Sequence, residues 1–467
     1  MSTTTRRVLC SAIAFLALTA AACGSDDDSG SSDTSEGGGS GESVAGALLV
    51  PQDFDTIQAA VDAAEEGELI LIDEGTYAEA VDVTTPDITI RGVDRNKVVL
   101  DGGFELENGI RVLDTAGVVV ENMTAHSYLS NGFFWTGSDR YRGSYLTAYR
   151  NGDYGIYAFD AYHGQLDNSM GAGSPDAGFY IGECYSCDAV IDNVIAENNG
   201  LGYSGTNSGG DLYIINSTFR NNRAGVVPNS GSYELCYPER ETTLVGNIVH
   251  DNNNDEADAI ADALLAQGNG IIIAGGVDNT VERNLLFNHD RTGIAMVPYP
   301  EEDANDVPPD PSEHDTPCED TRDEEIPEED ADPGLVLWQP TGNVIRGNVV
   351  SDSGVADLAT GTIDTDVESL DNCFSDNTFT TSAPDDIETL APCDGEGGGD
   401  FSKNALDLIP LIADQAPAPP EDTYQGTPIP EDQENMPDAG TAPAERFEGP
   451  ETVDVDAIEV PEKPAGS

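Results

Sequence analysis

The chain has 467 residues and a formal net charge of −69, from 19 basic against 88 acidic side chains. A field of that sign repels phosphate backbones and anionic lipid, which excludes nucleic acid and acidic membrane surfaces as partners. It suits work in high salt or beside divalent cations.

The first segment reads as an address. Arg6 and Arg7 precede an apolar run over 8–22 that is too short to span a bilayer and ends at Cys23. Ala20-Ala21-Ala22-Cys23 followed by Gly24 resembles a bacterial lipobox, with Ala at a position where Leu is commoner. The resemblance implies cleavage before Cys23, a diacylglyceryl group on its thiol, and a chain held at the outer face of the cell membrane by that anchor alone. Thr5-Arg6-Arg7-Val8-Leu9 also loosely resembles a twin-arginine signal, so general secretion and twin-arginine export both stay open. Residues 1–22 are then the signal peptide. Residues 23–46, rich in Ser, Gly and Asp, form a flexible tether that cannot pack a core.

Next come helix and strand signals. Phe54, Ile57, Val61 and Ala64 fall at helical spacing, with Asp53 placed to cap the start. Short strands follow over 69–72, 80–83, 88–90 and 98–100, separated by Gly75, Pro86, Gly92 and Gly102. Such a helix would cover the open end of a solenoid, whose first strand exposes unpaired backbone groups.

An asparagine then recurs at Asn122, Asn168, Asn193, Asn216, Asn247, Asn284, Asn348 and Asn377, with tightest intervals of 25 and 23 residues. That period lies in the range of coiled repeats and predicts a ladder of eight stacked amides. A second alignment rests on Gly132, Gly155, Gly178, Gly202, Gly225, Gly270 and Gly293. The residues after them, Phe133, Ile156, Phe179, Tyr203, Val226, Ile271 and Ile294, make an inward column. Alternation then puts Phe134, Tyr157, Tyr180, Ser204, Val227, Ile272 and Ala295 outside. The outer column is aromatic early and bland late.

The stretches Thr56-Ile57-Gln58-Ala59-Ala60-Val61, Gly67-Glu68, Gly75-Thr76-Tyr77 and Ile88-Thr89-Ile90-Arg91-Gly92 resemble the first coils of the pectin-lyase-like superfamily. The asparagine-bearing coils resemble that group's parallel β-helix repeats. The resemblance implies an all-β chain: a right-handed, single-stranded parallel β-helix solenoid with a short N-terminal capping helix. We place it at 47–395, with an acidic insertion at about 299–337 and an acidic, proline-rich tail at 396–467 that either lies along the solenoid or is mobile. It does not fix an activity, because the superfamily holds lyases, hydrolases, epimerases and adhesins. Its pectate lyases pair an arginine with a calcium-binding acidic cluster, a pattern that does not map onto this chain residue by residue.

Ten of the sixteen tyrosines lie between Tyr128 and Tyr203. Aromatic faces with interspersed polar groups suit sugar rings, although tyrosine also simply covers strands well. The expected glycan-binding residues are Trp135, Tyr157, Tyr180, Arg142, Arg150 and His126. Asp160 and Glu183 each follow a column glycine by five, so stacking brings them together as an acid and base pair, with His163 three residues on to orient or exchange a proton with Asp160. The same carboxylates are otherwise a seat for Ca2+, or merely two solvated acids on an acidic protein. No zinc, phosphate-loop or nucleophile-elbow motif is present, so no cofactor is assigned. Residues 301–332 hold sixteen acidic side chains and one arginine, Arg322, with ligand spacing too irregular for a dedicated calcium loop.

Without Cys10 and Cys23, six cysteines remain for an exported protein. Cys236 and Cys318 lie in insertions that leave equivalent strands. Cys373 and Cys393 lie about one coil apart, and Cys184 and Cys187 form a single C-x-x-C, read as a local disulfide rather than a metal or redox site. The functional expectation is a surface-anchored protein, monomeric or trimeric, that binds extracellular polysaccharide or envelope glycan through its aromatic face. The alternative is a polysaccharide lyase, glycoside hydrolase or epimerase using that face.

Overall fold

The computed structural model describes residues 44, 46–302, 318, 335–361, 369–413, 415, 417–420 and 422–464. The expected signal segment, Cys23, nearly all of the tether and most of the acidic insertion lie outside them.

Among the described residues, parallel strands form one sheet of 20 strands and another of 11. In the smaller sheet each coil contributes one strand, paired to the coil before and the coil after. The inward column holds: Phe133, Ile156, Phe179, Tyr203, Val226, Ile271 and Ile294 pair in register from coil to coil, and all are fully buried. The neighbouring outward column pairs in register too, Phe134 with Tyr157, Tyr157 with Tyr180, and Tyr180 with Ser204. Each coil thus buries one apolar row against the rows above and below, which is how a solenoid builds one continuous core from units that cannot fold alone.

The N-terminal helix is Ile57–Ala63, packed on the first coils with Ile57, Ala60 and Val61 buried. Its cap is Thr56, whose side chain accepts from the Ala59 amide at 3.1 Å, rather than Asp53. Asp53 instead accepts from the Leu49 amide, and the Glu79 carboxylate takes the amides of Ile57 and Gln58. A hydroxyl directly before the first turn serves the free N–H groups better than a carboxylate three residues earlier.

The eight asparagines do not make one ladder. Asn247, Asn284, Asn348 and Asn377 do stack, each amide donating to the next Oδ1 at 3.0 Å. In earlier coils that position belongs to Ser169 and Ser217, while Asn168, Asn193 and Asn216 stand one residue before, at left-handed corners with φ of 50, 53 and 49°. Two further ladders run beside the first, Asn199–Asn222–Asn252 and Asn279–Asn343–Asn372. Asparagine serves both positions, because it tolerates the left-handed region and its amide can both donate and accept. Residue spacing alone could not separate the two uses. Asn284 is fully buried and also donates to the Leu244 carbonyl at 2.9 Å. Asn284→Leu is expected to cost about 2–3 kcal/mol by leaving backbone groups of adjacent coils unpaired. Asn193→Leu, at an exposed corner, should cost less than half as much. Urea unfolding of the two variants checks the difference.

The proline-rich tail lies along the solenoid. Arg150 donates to the Thr427 carbonyl at 2.6 Å, Asn122 accepts from the Met436 amide, and Arg446 pairs with Asp87 at 2.9 Å. The chain then passes other coils, where Val453, Val455 and Ile458 cover Val190, Ile215 and Val245. Among the described residues there are three disulfides: Cys184–Cys187, Cys236–Cys318 and Cys373–Cys393. Among the described residues no helix is long and apolar enough to cross a membrane.

Candidate functional site: an aromatic and carboxyl face on the smaller sheet

The aromatic part of the outward column forms a continuous platform. Phe134 and Tyr157 lie 4.7 Å apart between ring centroids, and Tyr157 and Tyr180 also 4.7 Å. Tyr154 stacks on Tyr157 at 4.3 Å and 13°, and Phe159 lies 5.9 Å away on the same side. Phe134, Tyr154, Tyr157 and Phe159 are half-buried, whereas Tyr180 is buried. The loop carrying Glu234 comes over Tyr180, whose hydroxyl donates to both Glu234 oxygens at 2.8 and 2.7 Å. Tyr180 therefore holds a wall of the site in place rather than offering an open ring.

Beyond the platform the strands turn a corner. Register from Phe159 on Gly182 carries Asp160 and Glu183 onto successive coils, both in the left-handed region with φ of 49 and 51°. Asn207 follows on the next coil at φ 46°. Asp and Asn are ordinary at such corners, but glutamate is not. Glu183 is buried, and its carboxyl is pushed up to about 8, first by burial and then by the charge of Asp160, against the pull of the Leu235 amide. Glu234 is raised well above the ordinary range by loss of water and by Glu183. The Cys184–Cys187 link follows Glu183 directly, and Cys236–Cys318 ties down the loop that presents Glu234.

A second pair of acids flanks the platform on its other side. Asp153 and Asp176 stack on adjacent coils, the Asp176 amide donating to the Asp153 carbonyl at 3.2 Å. Burial raises Asp153 to about 6 and Asp176 well above the usual range. Each precedes a column glycine, Gly155 or Gly178, by two residues, so the glycine alignment carries the signal for this pair. Glu234 has no such marker, since it enters from an insertion.

Other expected site residues lie elsewhere. Trp135 is fully buried, paired with Ala158 and 5.8 Å from Tyr141, in the core and not on the face. Alternation demands this, because Phe134 points out and its neighbour must point in. His126, Arg142 and Arg150 belong to the larger sheet or its edge, away from Tyr157. His126 stacks on Tyr149 at 4.6 Å, and its imidazole is held below its ordinary value by burial and Arg150, against the pull of Asp101. Arg142 pairs with Asp167 at 2.9 Å, and Arg150 is engaged by the tail. His163 does not serve Asp160. Its Nδ1 meets Asp139 at 2.6 Å and its Nε2 meets Asp188 at 3.4 Å, because a second left-handed corner, φ 52° at His163 itself, redirects the side chain. Among the described residues no group of three or more His, Cys, Asp or Glu side chains is placed to hold a metal ion.

A family model described as a right handed beta helix region matches residues 80–235. The fold is a right-handed parallel β-helix. Solved structures similar to this chain include the A-module of the Azotobacter vinelandii mannuronan C-5 epimerase AlgE4, at 13% identity and a TM-score of 0.42, covering 72% of this chain and 93% of that one. The periplasmic alginate epimerase AlgG is similar at 14% identity and a TM-score of 0.40, covering 68% and 77%. Pectate lyase Pel9A is similar at 12% and 0.39, covering 85% and 84%. No curated protein sequence matches the chain. The smaller sheet of this β-helix places rings beside carboxyls whose affinity for a proton is raised, a surface able to stack on C–H faces while exchanging hydrogen bonds.

Proposed function

We propose that this chain is an exported, Cys23-anchored β-helix that binds extracellular polysaccharide along its aromatic face, with neutral glycans preferred. The observation that carries the reading is the ring platform of Phe134, Tyr157 and Tyr154, half-buried and bordered by Asp153, Asp160 and Glu183. Coils spaced roughly 4.8 Å apart give the platform room for about two sugar rings. The net charge of −69 works against polyuronates unless salt or divalent cations screen it. On a glycan array and by titration calorimetry, the protein is expected to bind a neutral oligosaccharide, and Tyr157→Ala to weaken it at least tenfold while Tyr213→Ala, on a strand of the larger sheet, does not. A chain that binds no glycan at millimolar concentration would overturn the reading.

One observation favours turnover as a second reading. Glu183, pushed up to about 8, keeps its proton at neutral pH and stands one coil from Asp160. Retaining glycosidases set their two carboxyls about 5–5.5 Å apart, near the spacing of adjacent coils. Glu183 would then protonate the leaving oxygen while Asp160 attacks or stabilises. A lyase or epimerase would use the pair to move a proton on the sugar ring instead. New reducing ends, unsaturated uronates or inverted residues that vanish in Glu183→Gln separate turnover from binding.

A further inference from the structure

The outer face of the later coils is apolar but not bare. Helix Ala261–Ala266 covers Ala177, Leu201, Ala224 and Val227, while helix Leu408–Ala413 and Leu406 pack on Ala274, Ala295, Ala356 and Ala359. Arg223, fully buried, fixes the first cover by donating to the carbonyls of Ala257 and Asp255 at 2.7 and 2.6 Å. Between the two covers remains a cavity of about 130 Å3, walled by residues such as Leu201, Val227, Ile272, Ala295, Leu408 and Leu411. An apolar cavity of roughly 150 Å3 stays dry and takes up a molecule of benzene size.

One end of this cavity is acidic. Asp176, Glu234 and Asp262 line it with Tyr154 and Tyr233. Asp176 is 7% exposed; the Tyr154 hydroxyl bonds its carboxyl, and its buried Oδ1 has no hydrogen-bond partner. Buried acceptors are almost always bonded, so an unbonded one on a residue that lines a cavity points to a donor supplied from outside. Arg291, the basic residue of the lining, donates to the carbonyls of Leu265 and Leu411. Tyr299 donates to Asp262 at 3.0 Å, and Tyr180 to Glu234.

We propose that this cavity binds a small organic cation: a primary amine bearing a short alkyl chain or a single aromatic ring. The apolar walls take the hydrocarbon, and the ammonium donates to Asp176 beside Tyr154 and Tyr233 of the lining. A carboxylate ligand is disfavoured by three acids, and an alcohol satisfies the acceptor without using the field of the site. Burial raises the Asp176 carboxyl well above its ordinary range, the Tyr154 hydroxyl pulls the other way, and the charges of Asp153 and Asp262 add to the rise. An ammonium seated beside it favours the ionised carboxylate, so its binding is expected to release a proton to solvent. The chain's net charge of −69 also concentrates cations near its surface. The inference does not depend on glycan binding.

The test is titration calorimetry of the protein at pH 7 with hexylamine and phenethylamine against hexanol and hexanoate, in two buffers of different ionisation enthalpy. The amines should bind saturably, at least tenfold tighter than hexanol, with a heat that changes with buffer because a proton is released. Asp176→Asn should lower amine affinity at least tenfold and remove the buffer dependence. Ala274→Phe, which fills the cavity and leaves every carboxyl in place, should abolish amine binding and keeps the test decisive if Asp176→Asn folds poorly. Hexanol binding as well as hexylamine, amine affinity unchanged in either variant, or no amine binding would each overturn the proposal.

Discussion

Between about pH 4.5 and pH 8 the folded protein should lose stability, and Glu183→Gln and Glu239→Gln should each remove a large share of that loss. Both carboxyls are raised from 4.5 to about 8, chiefly by burial. Glu239 is fully buried, and donors from Thr242 and Asn279 at 2.8 Å do not offset its loss of water. A carboxyl whose folded-state value is raised binds its proton more tightly in the folded chain than in the unfolded one. Its contribution is therefore complete below the unfolded value near 4.5, declines as pH rises, and is gone above about 8. Shifts of this size correspond to roughly 4–5 kcal/mol per group. Asp153, Asp176 and Glu234 act in the same direction. Urea unfolding at pH 5 and pH 8.5 measures the difference. A wild-type protein as stable at the higher pH as at the lower, or glutamine variants with an unchanged slope, would remove this account of the acidic interior.

Trp135→Ala should be the most damaging single truncation among the aromatic residues of this region, at about 3–5 kcal/mol. The indole is fully buried, and its edge lies 2.9 Å from where a Cβ on Gly143 would stand, so no neighbour can collapse into the space without rebuilding the strand beside it. Tyr157→Ala removes a half-buried ring and should cost far less stability. Melting temperature and glycan affinity should consequently separate: the tryptophan variant melts early but binds as well as wild type while folded, and the tyrosine variant does the reverse. Equal loss of glycan affinity in both would mean that the platform and the core are not distinct.

The contrast shows which level of the structure the amino-acid order specifies directly. Apolar residues at fixed distance from Gly132, Gly155 and Gly178 had to face inward, because misplacing one row would expose every row stacked on it. The same alignment carried Tyr157, Tyr180, Asp160 and Glu183 to their places, and carries Asp153 and Asp176 too. His126, Arg142 and Arg150 are near in sequence but lie across corners from Tyr157, in strands of the other sheet or at their ends. Left-handed turns at residues such as Arg140 and Arg150 set that change of direction, and side-chain composition does not mark them reliably. The closed part of the face was illegible for another reason. Glu234, Asp262 and Leu411 come from insertions and a C-terminal segment of no fixed period, so only tertiary contact brings them together. Asparagine misled in the opposite way, since one residue type marked both a buried stack and an exposed corner.

The course of the tail has a consequence for how the molecule comes apart. A solenoid whose coils touch only their neighbours can fray from either end, one repeat at a time. Here a single strap touches Phe104 through Tyr424, Asp87 through Arg446, Val190 and Val245 through Val455 and its neighbours, and Phe287 through Lys463. Coils far apart in the stack are thereby splinted to one another, and none can peel away without lifting a piece of the strap. Loss of the last forty or so residues would turn a cooperative rod into a chain of loosely coupled rungs.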